Sequence, residues 1–216
     1  MKERGKLIVF EGIGGSGKGT QIEYAKNLLT KNGLGAIYTR EPGGLEPAEE
    51  IRELIFHLRD KKLIGPEGQM VLFFAARKLW VEAVVAPNID GGVNVLTDRC
   101  HTSTGAYQGY AEGGDQDQIL AIADEVLGAY KPDAVIFLDI SKKTSQKRRG
   151  NNIQGDPFDK ESEEYFDRLI AGYREMAKTG WGGLKWYIVD GEPEPSMVSE
   201  SVAKVLEEIF GRKLNR

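Results

Sequence analysis

The sequence predicts an α/β fold, a doubly wound parallel sheet of five strands flanked by helices. Three observations lead there. Short apolar runs alternate along the chain with longer stretches of helical period, the order that builds a sheet between helical layers. The runs are near-continuous in Val, Ile, Leu and aromatic residues rather than alternating, as strands covered on both faces are. And 216 residues suit one such domain with a full core, spanning 1–216.

The strand candidates are LIVFE (7–11), AIYT (36–39), VNVLTD (93–98), AVIFLDI (134–140) and WYIVD (186–190). Helical patterns fill 18–32, 46–59, 67–90, 116–130, 141–149, 160–178 and 196–212. Asn32-Gly33 and Lys131-Pro132 read as helix stops, and Ser196 as an N-cap. Segments 41–46, 109–116 and 150–159 are irregular. The last, GNNIQGDPFD, lies between two helices beside the basic run Lys142-Lys143 to Lys147-Arg148-Arg149. It reads as a small lid over about 146–159, hinged at Gly150 and Gly155, and not as a linker. No internal repeat or low-complexity tract interrupts this order.

Bulk properties narrow the function classes. The chain is 40% hydrophobic and 29% charged, with net charge −4, and its pI is about 5.4, so no basic surface suggests nucleic acid. A single cysteine, Cys100, excludes an internal disulfide and fits a reducing compartment. His57 and His101 are too few for a zinc site. No stretch approaches the length of a membrane span, and the apolar run at 7–11 is too short for a signal segment. A cytoplasmic protein is expected.

The stretch FEGIGGSGKGTQ (10–21) carries the first chemical signal. Gly12, Ile13, Gly14, Gly15, Ser16, Gly17 and Lys18 match G-x-x-x-x-G-K between a strand and a helix. Glycines let backbone N–H groups close on phosphate oxygens, the helix start adds a favourable dipole, and Lys18 reaches the terminal phosphates. The fold class sharpens accordingly to a P-loop NTPase. Gly19 stands where a Ser or Thr would offer a hydroxyl to magnesium, and Thr20 brings one a residue later. GSGKGTQ is similar to the loop of adenylate and uridylate-cytidylate kinases, which also carry Gly there. In those families magnesium is held largely through water and carboxylates. Thr20 remains a candidate for the metal or a phosphate.

Three motifs suggest a second, phosphorylated substrate. TREPGG (39–44) follows the second strand, and Arg40 on a tight turn suits bidentate capture of phosphate. A solvated arginine on a strand-end turn fits the same residues. In VLTDRCHTSTGAYQG (95–109), Asp98 lies where a carboxylate meets hydrated magnesium, and Arg99 where a cation meets phosphate. The run Thr102, Ser103, Thr104, Tyr107 and Gln108 could read the edge of a base; its hydroxyls also suit a capped helix start, which explains them but not the Asp-Arg pair. In LFFAARKLW (72–80), Phe73 and Arg77 share a helical face and could stack on a base and bond its edge. Taken alone, that stripe reads as core.

Together these segments resemble the thymidylate kinase family over nearly the whole chain, in the order FEG and phosphate loop, TREPGG, F-x-A-x-R, DR-x-x-x-S-x-x-AYQG, basic lid and VDG. The resemblance implies transfer of the γ-phosphoryl of ATP to dTMP with Mg²⁺, a five-stranded parallel sheet, and a homodimer. It implies that Lys18 binds donor phosphates, Arg40 and Arg99 bind phosphate, and Asp98 acts on magnesium through water. Phe73 would stack on thymine, Arg77 would bond its exocyclic oxygen, Thr104 or Gln108 would meet its N3 edge, and Tyr107 would crowd the 2′ position.

The chain departs from the family at four places. Gly14 replaces an Asp or Glu that bonds the acceptor's 3′-hydroxyl, leaving Glu11 or Glu46 to take over. Leu45 replaces a Thr, Cys100 a Tyr, and Asp156-Pro157-Phe158-Asp159 a D-R-F-E lid segment. The lid charge then falls to Arg148 or Arg149, with Arg149 preferred because it borders the lid. A solvated helix face is the plainer account of that pair. A kinase for dUMP, UMP, CMP or AMP and a non-catalytic nucleotide-binding module are the competing readings.

Overall fold

Five strands form one parallel sheet in the order β2-β3-β1-β4-β5: β1 Leu7–Glu11, β2 Ala36–Arg40, β3 Asn94–Asp98, β4 Ala134–Asp139 and β5 Trp186–Asp190. The computed structural model describes residues 3–150, 158 and 161–216. Every residue of β1 is buried. Its side chains nonetheless keep the two-residue period of a strand, feeding two separate cores. Leu7 and Val9 pack with Phe73, Trp80, Leu169 and Tyr173 on one face, and Ile8 and Phe10 pack with Ile22, Leu29, Val202 and Leu206 on the other.

The first core lies under α2 (Glu46–Asp60), α3 (Pro66–Trp80), α6 (Gln116–Leu127) and α8 (Glu163–Thr179); the second lies under α1 (Lys18–Lys31) and α9 (Pro195–Phe210). The expected helix over 67–90 is one helical path with a change of pitch. After α3 comes a π-helical stretch, Val81–Val85, and then α4, Ala86–Asp90. The run 102–108, expected to read a base edge, is helical within α5 (His101–Thr104) and a π-helical stretch, Gly105–Ala111, which also takes in the start of the segment 109–116 expected to be irregular.

Two helix ends differ from expectation. α6 stops at Leu127 because Gly128, at φ 53°, turns the chain before Lys131-Pro132 is reached. Ser196 lies inside α9, whose N-cap is Glu194 with Pro195 at the first helical position, where proline's missing N–H removes nothing. α7 (Lys142–Arg149) carries the basic run. Of the expected lid, Gly150 and Phe158 are described, and the hinge at Gly155 and Asp156, Pro157 and Asp159 lie outside the described residues.

Register places the chemistry. Phe10 pairs with Asp98, and Arg40 pairs with Asp98, so the ends of β1, β2 and β3 meet side by side. β1 lies between β3 and β4, where the winding reverses, and the crevice outside the strand ends there is the usual ligand site of open α/β sheets.

Candidate active site

The phosphate loop leaves β1 through Gly12 at φ 144° and enters α1 through Gly17 at φ 89°. A Cβ on Gly12 would lie 2.7 Å from the Leu138 carbonyl oxygen, so only glycine passes there. Lys18 is buried. It donates to the Gly12 carbonyl at 2.9 Å and stands 3.7 Å from Asp98 Oδ1. Among the described residues no group donates a hydrogen bond to that buried carboxylate oxygen. Thr20 is exposed in the first turn of α1.

α7 braces the loop from outside. Ser145 donates to the Gly14 carbonyl at 2.7 Å, and the stem of Arg149 lies against Gly15 with its guanidinium 5.3 Å from the Phe166 ring. Arg148 donates to the carbonyls of Glu192 and Pro193 at 2.9 and 3.4 Å, tying α7 to the chain after β5. Both arginines therefore border the loop.

Beside the loop opens a pocket of about 230 Å³. Of the residues singled out above, Lys18, Arg40, Phe73, Arg77, Asp98, Arg99, Thr104, Tyr107 and Gln108 line it. Arg77 is 1% exposed, donates to Glu41 Oε2 at 2.6 Å and Thr104 Oγ1 at 3.2 Å, and lies over the Phe74 ring at 4.6 Å. Among the described residues its Nε and Nη1 have no hydrogen-bond partner. Burial pushes the Glu41 carboxyl above its ordinary range, against the pull of Arg77. Arg40 is held by Glu49, through Nε at 3.1 Å and Nη2 at 2.5 Å.

Arg99 takes a left-handed backbone conformation, φ 74°, at the end of β3. That turn directs it to Ser103 Oγ and Tyr173 Oη, each at 3.1 Å, and over the Tyr107 ring at 5.1 Å. Burial opposes its charge, but Tyr107, Tyr173, Asp98 and Glu11 hold it more firmly protonated than a free arginine.

Glu11 and Glu46, expected near the sugar, do not line the pocket. Glu46 is exposed at the start of α2. Glu11 is fully buried and accepts from Thr102 Oγ1 at 2.6 Å, Ser103 Oγ at 2.8 Å, Tyr173 Oη at 2.8 Å and the Cys100 N–H at 3.3 Å. Its Oε2 is 3.8 Å from Arg99, so the carboxylate fixes the turn that carries Arg99. The Cys100 thiol is buried and pushed up to about 12, which keeps it inert.

Glu41, Arg52, Phe56 and Phe158 line the pocket without having been singled out as ligands, and Ser103, of the run read as base-facing, lines it too. A signal existed for two of them. Glu49, Arg52 and Phe56 recur at helical spacing on one face of α2 behind TREPGG. Phe158 carried none, because it is placed by remote residues. Arg59 lies over its ring at 3.9 Å while donating to Gln69, Glu112 and Glu161, and Tyr107 meets it edge-on at 5.1 Å. Among the described residues no group of three or more His, Cys, Asp or Glu gathers for a metal, and no helix is long and apolar enough to cross a membrane.

A glycine loop between β1 and α1, opening onto a pocket lined by Arg40, Arg52, Arg77 and Arg99, makes this protein a phosphotransferase of the P-loop class. The family model for thymidylate kinase matches residues 10–202. The chain is 33% identical over 205 residues to a protein named thymidylate kinase from Francisella tularensis subsp. tularensis, covering 95% of this chain and 97% of that one. It is 36% identical over 173 residues to one from subsp. holarctica, covering 80% and 83%. It is 31% identical over 205 residues to one from Francisella philomiragia, covering 95% and 99%. The chain belongs to the thymidylate kinase family.

Proposed function

We propose that this chain transfers the γ-phosphoryl of ATP to dTMP, giving dTDP and ADP. Arg77 carries the reading. An arginine cannot shed its proton, and a buried donor left unpaired costs about 1–3 kcal/mol, so Nε and Nη1 of Arg77 call for an acceptor inside the pocket. An exocyclic oxygen of thymine meets that demand, with Phe73 against the ring, Thr104 and Gln108 toward its N3 edge, and Tyr107 beside the sugar. The acceptor phosphate then falls among Arg40, Arg99 and Lys18.

Magnesium would accompany ATP. The residues fit it: the Asp98 oxygen beside Lys18, without a hydrogen-bond partner among the described residues, suits a metal-bound water, and magnesium keeps several waters and takes phosphate ligands. When bound it neutralises charge on the transferring group. The chain's own residues position the reactants. Lys18 exchanges the Gly12 carbonyl for phosphate oxygens, and Arg40 turns from Glu49 to the acceptor phosphate. Arg148 or Arg149 adds charge from the lid, whose closure excludes water.

The protein works as a homodimer in the cytoplasm in this reading. The exposed apolar residues Leu54, Val71 and Leu79 on the paired helices α2 and α3 support association, and one buried free thiol suits a reducing compartment. The test is Asp98→Asn. It is expected to lower transfer about 100-fold or more while ATP still binds; undiminished transfer would contradict the assignment.

A further inference from the structure

Gly19 leaves the phosphate loop without the hydroxyl that usually follows its lysine. We propose that the phenol of Tyr38, reaching in from β2, supplies that hydroxyl and holds a water of the magnesium shell on the Asp98 side of the loop. This rests on the P-loop kinase reading and not on the identity of the acceptor.

A side chain at position 19 would project toward Tyr38. Among the described residues, its own helix backbone and chain neighbours apart, the atom within 4 Å of a Cβ built on Gly19 is Tyr38 Oη, at 3.8 Å. The phenolic oxygen thus stands at the edge of the volume that a Ser or Thr hydroxyl would fill, with no clash to forbid either residue there.

The sheet places it. Tyr38 pairs with Leu96 and Arg40 with Asp98, so these four residues alternate onto one face. It is the face covered by α1, because Leu96 packs with Ile22, Ala25 and Leu29. Gly19 and Glu23 lie one turn apart on that helix, and the phenol sits across them.

Of the charged groups around the phenol, Asp98 and Arg40 belong to the reaction centre and Glu23 flanks it from α1. Burial and then the Asp98 carboxylate push Tyr38 above its ordinary range, while Arg40 pulls it down. It therefore stays a neutral donor at working pH. A core role does not explain the residue, since Tyr38 is 39% exposed on the outermost strand β2. Thr20, the hydroxyl one residue on, lies about 100° round the helix from Gly19 and so points elsewhere.

Phenol and glycine form an exchange: the loop gives up its own hydroxyl and the neighbouring strand returns one. A group that orients a metal-bound water acts without touching the reacting atoms, so Tyr38 is a positioning residue. Losing such an outer partner typically weakens metal binding about 10-fold or more.

The experiment uses the intact protein, its Tyr38→Phe and Gly19→Ser variants, and the double variant. Mn²⁺ replaces Mg²⁺, and its binding to the ADP complex is read by electron paramagnetic resonance, alongside ADP affinity without metal. Tyr38→Phe is expected to weaken Mn²⁺ binding about 10-fold with metal-free ADP affinity unchanged, and Gly19→Ser is expected to restore it in the double variant. Unchanged Mn²⁺ affinity in Tyr38→Phe overturns the proposal, as does a loss that Gly19→Ser leaves in place. If the wild type phosphorylates no nucleotide and this pattern still appears, the proposal stands while the dTMP reading falls.

Discussion

Replacing Arg77 by Met separates the two tasks of one buried guanidinium. Among the described residues the hydrogen-bond donor to the Glu41 carboxylate is Arg77, at 2.6 Å, and the exposures of these two side chains are 1% each. Removing one partner of a buried pair costs about 3–5 kcal/mol, since the other charge is left stranded. Glu41→Leu in the same chain removes that charge, and apolar replacement of a whole buried pair is neutral or stabilising, so the double variant should regain most of the loss. Acceptor recognition should not return. A hydrogen bond from a charged donor contributes about 1.5–3 kcal/mol, which predicts a fall of about 10- to 150-fold in kcat/KM for dTMP in both variants. Urea unfolding reads the first quantity and ADP release the second. The pH dependence follows from Glu41, whose folded carboxyl lies above its ordinary value of 4.5. Its stabilising contribution is complete below 4.5 and is lost as pH rises through the raised folded value. Without Arg77 that value climbs further, so the deficit of Arg77→Met should shrink from pH 7 toward 4.5. An Arg77→Met protein as stable as wild type, or one recovering dTMP turnover with Glu41→Leu, would refute the reasoning.

Glu11→Gln should lower kcat by loosening the Ser103–Tyr173–Arg99 turn, with little change in KM for dTMP. If Glu11 instead bonds the sugar, its effect will vanish with 3′-deoxy-dTMP, and that comparison decides. His101 is buried and held neutral, its value lowered to about 3 from 6.5 by burial and by Arg77. The unfolded chain takes up that proton first, so stability should fall by about 1.4 kcal/mol per unit as pH drops below 6.5. A His101→Gln protein should lose that part of the slope in urea titrations across the acid range.

The strands and most helices were legible because each depends on residues adjacent in the chain. β1 is a continuous apolar run, and α1 follows directly from the glycine loop. The helical stretch at 101–111 was legible only as the alternative, a capped helix start, and its Gly105 and Gly109 add no helical signal. They are packing residues: a Cβ on Gly105 would lie 2.9 Å from Trp181 and Met176, and one on Gly109 would meet Gln116. The end of α6 was misplaced because a glycine in the left-handed region outweighs a proline four residues later. At the site, Arg40, Phe73, Arg77, Asp98 and Arg99 were readable as motif residues, and the structure brings them to one pocket. The stripe holding Phe73 and Arg77 serves both core and pocket, which spacing alone could not show. Glu11 and Phe158 were illegible in the same sense, since their partners lie across the fold. Glu11 meets Tyr173, and Arg59 joins Phe158, Glu112 and Glu161 over separations of up to 102 residues.

The most direct test is phosphoryl transfer by the purified protein with Mg-ATP, followed as ADP release with dTMP, dUMP, UMP, CMP, AMP or GMP and with no acceptor. The account predicts strong preference for dTMP and little release without an acceptor. Preference for a ribonucleotide, or ATP binding with transfer to none of them, would contradict it.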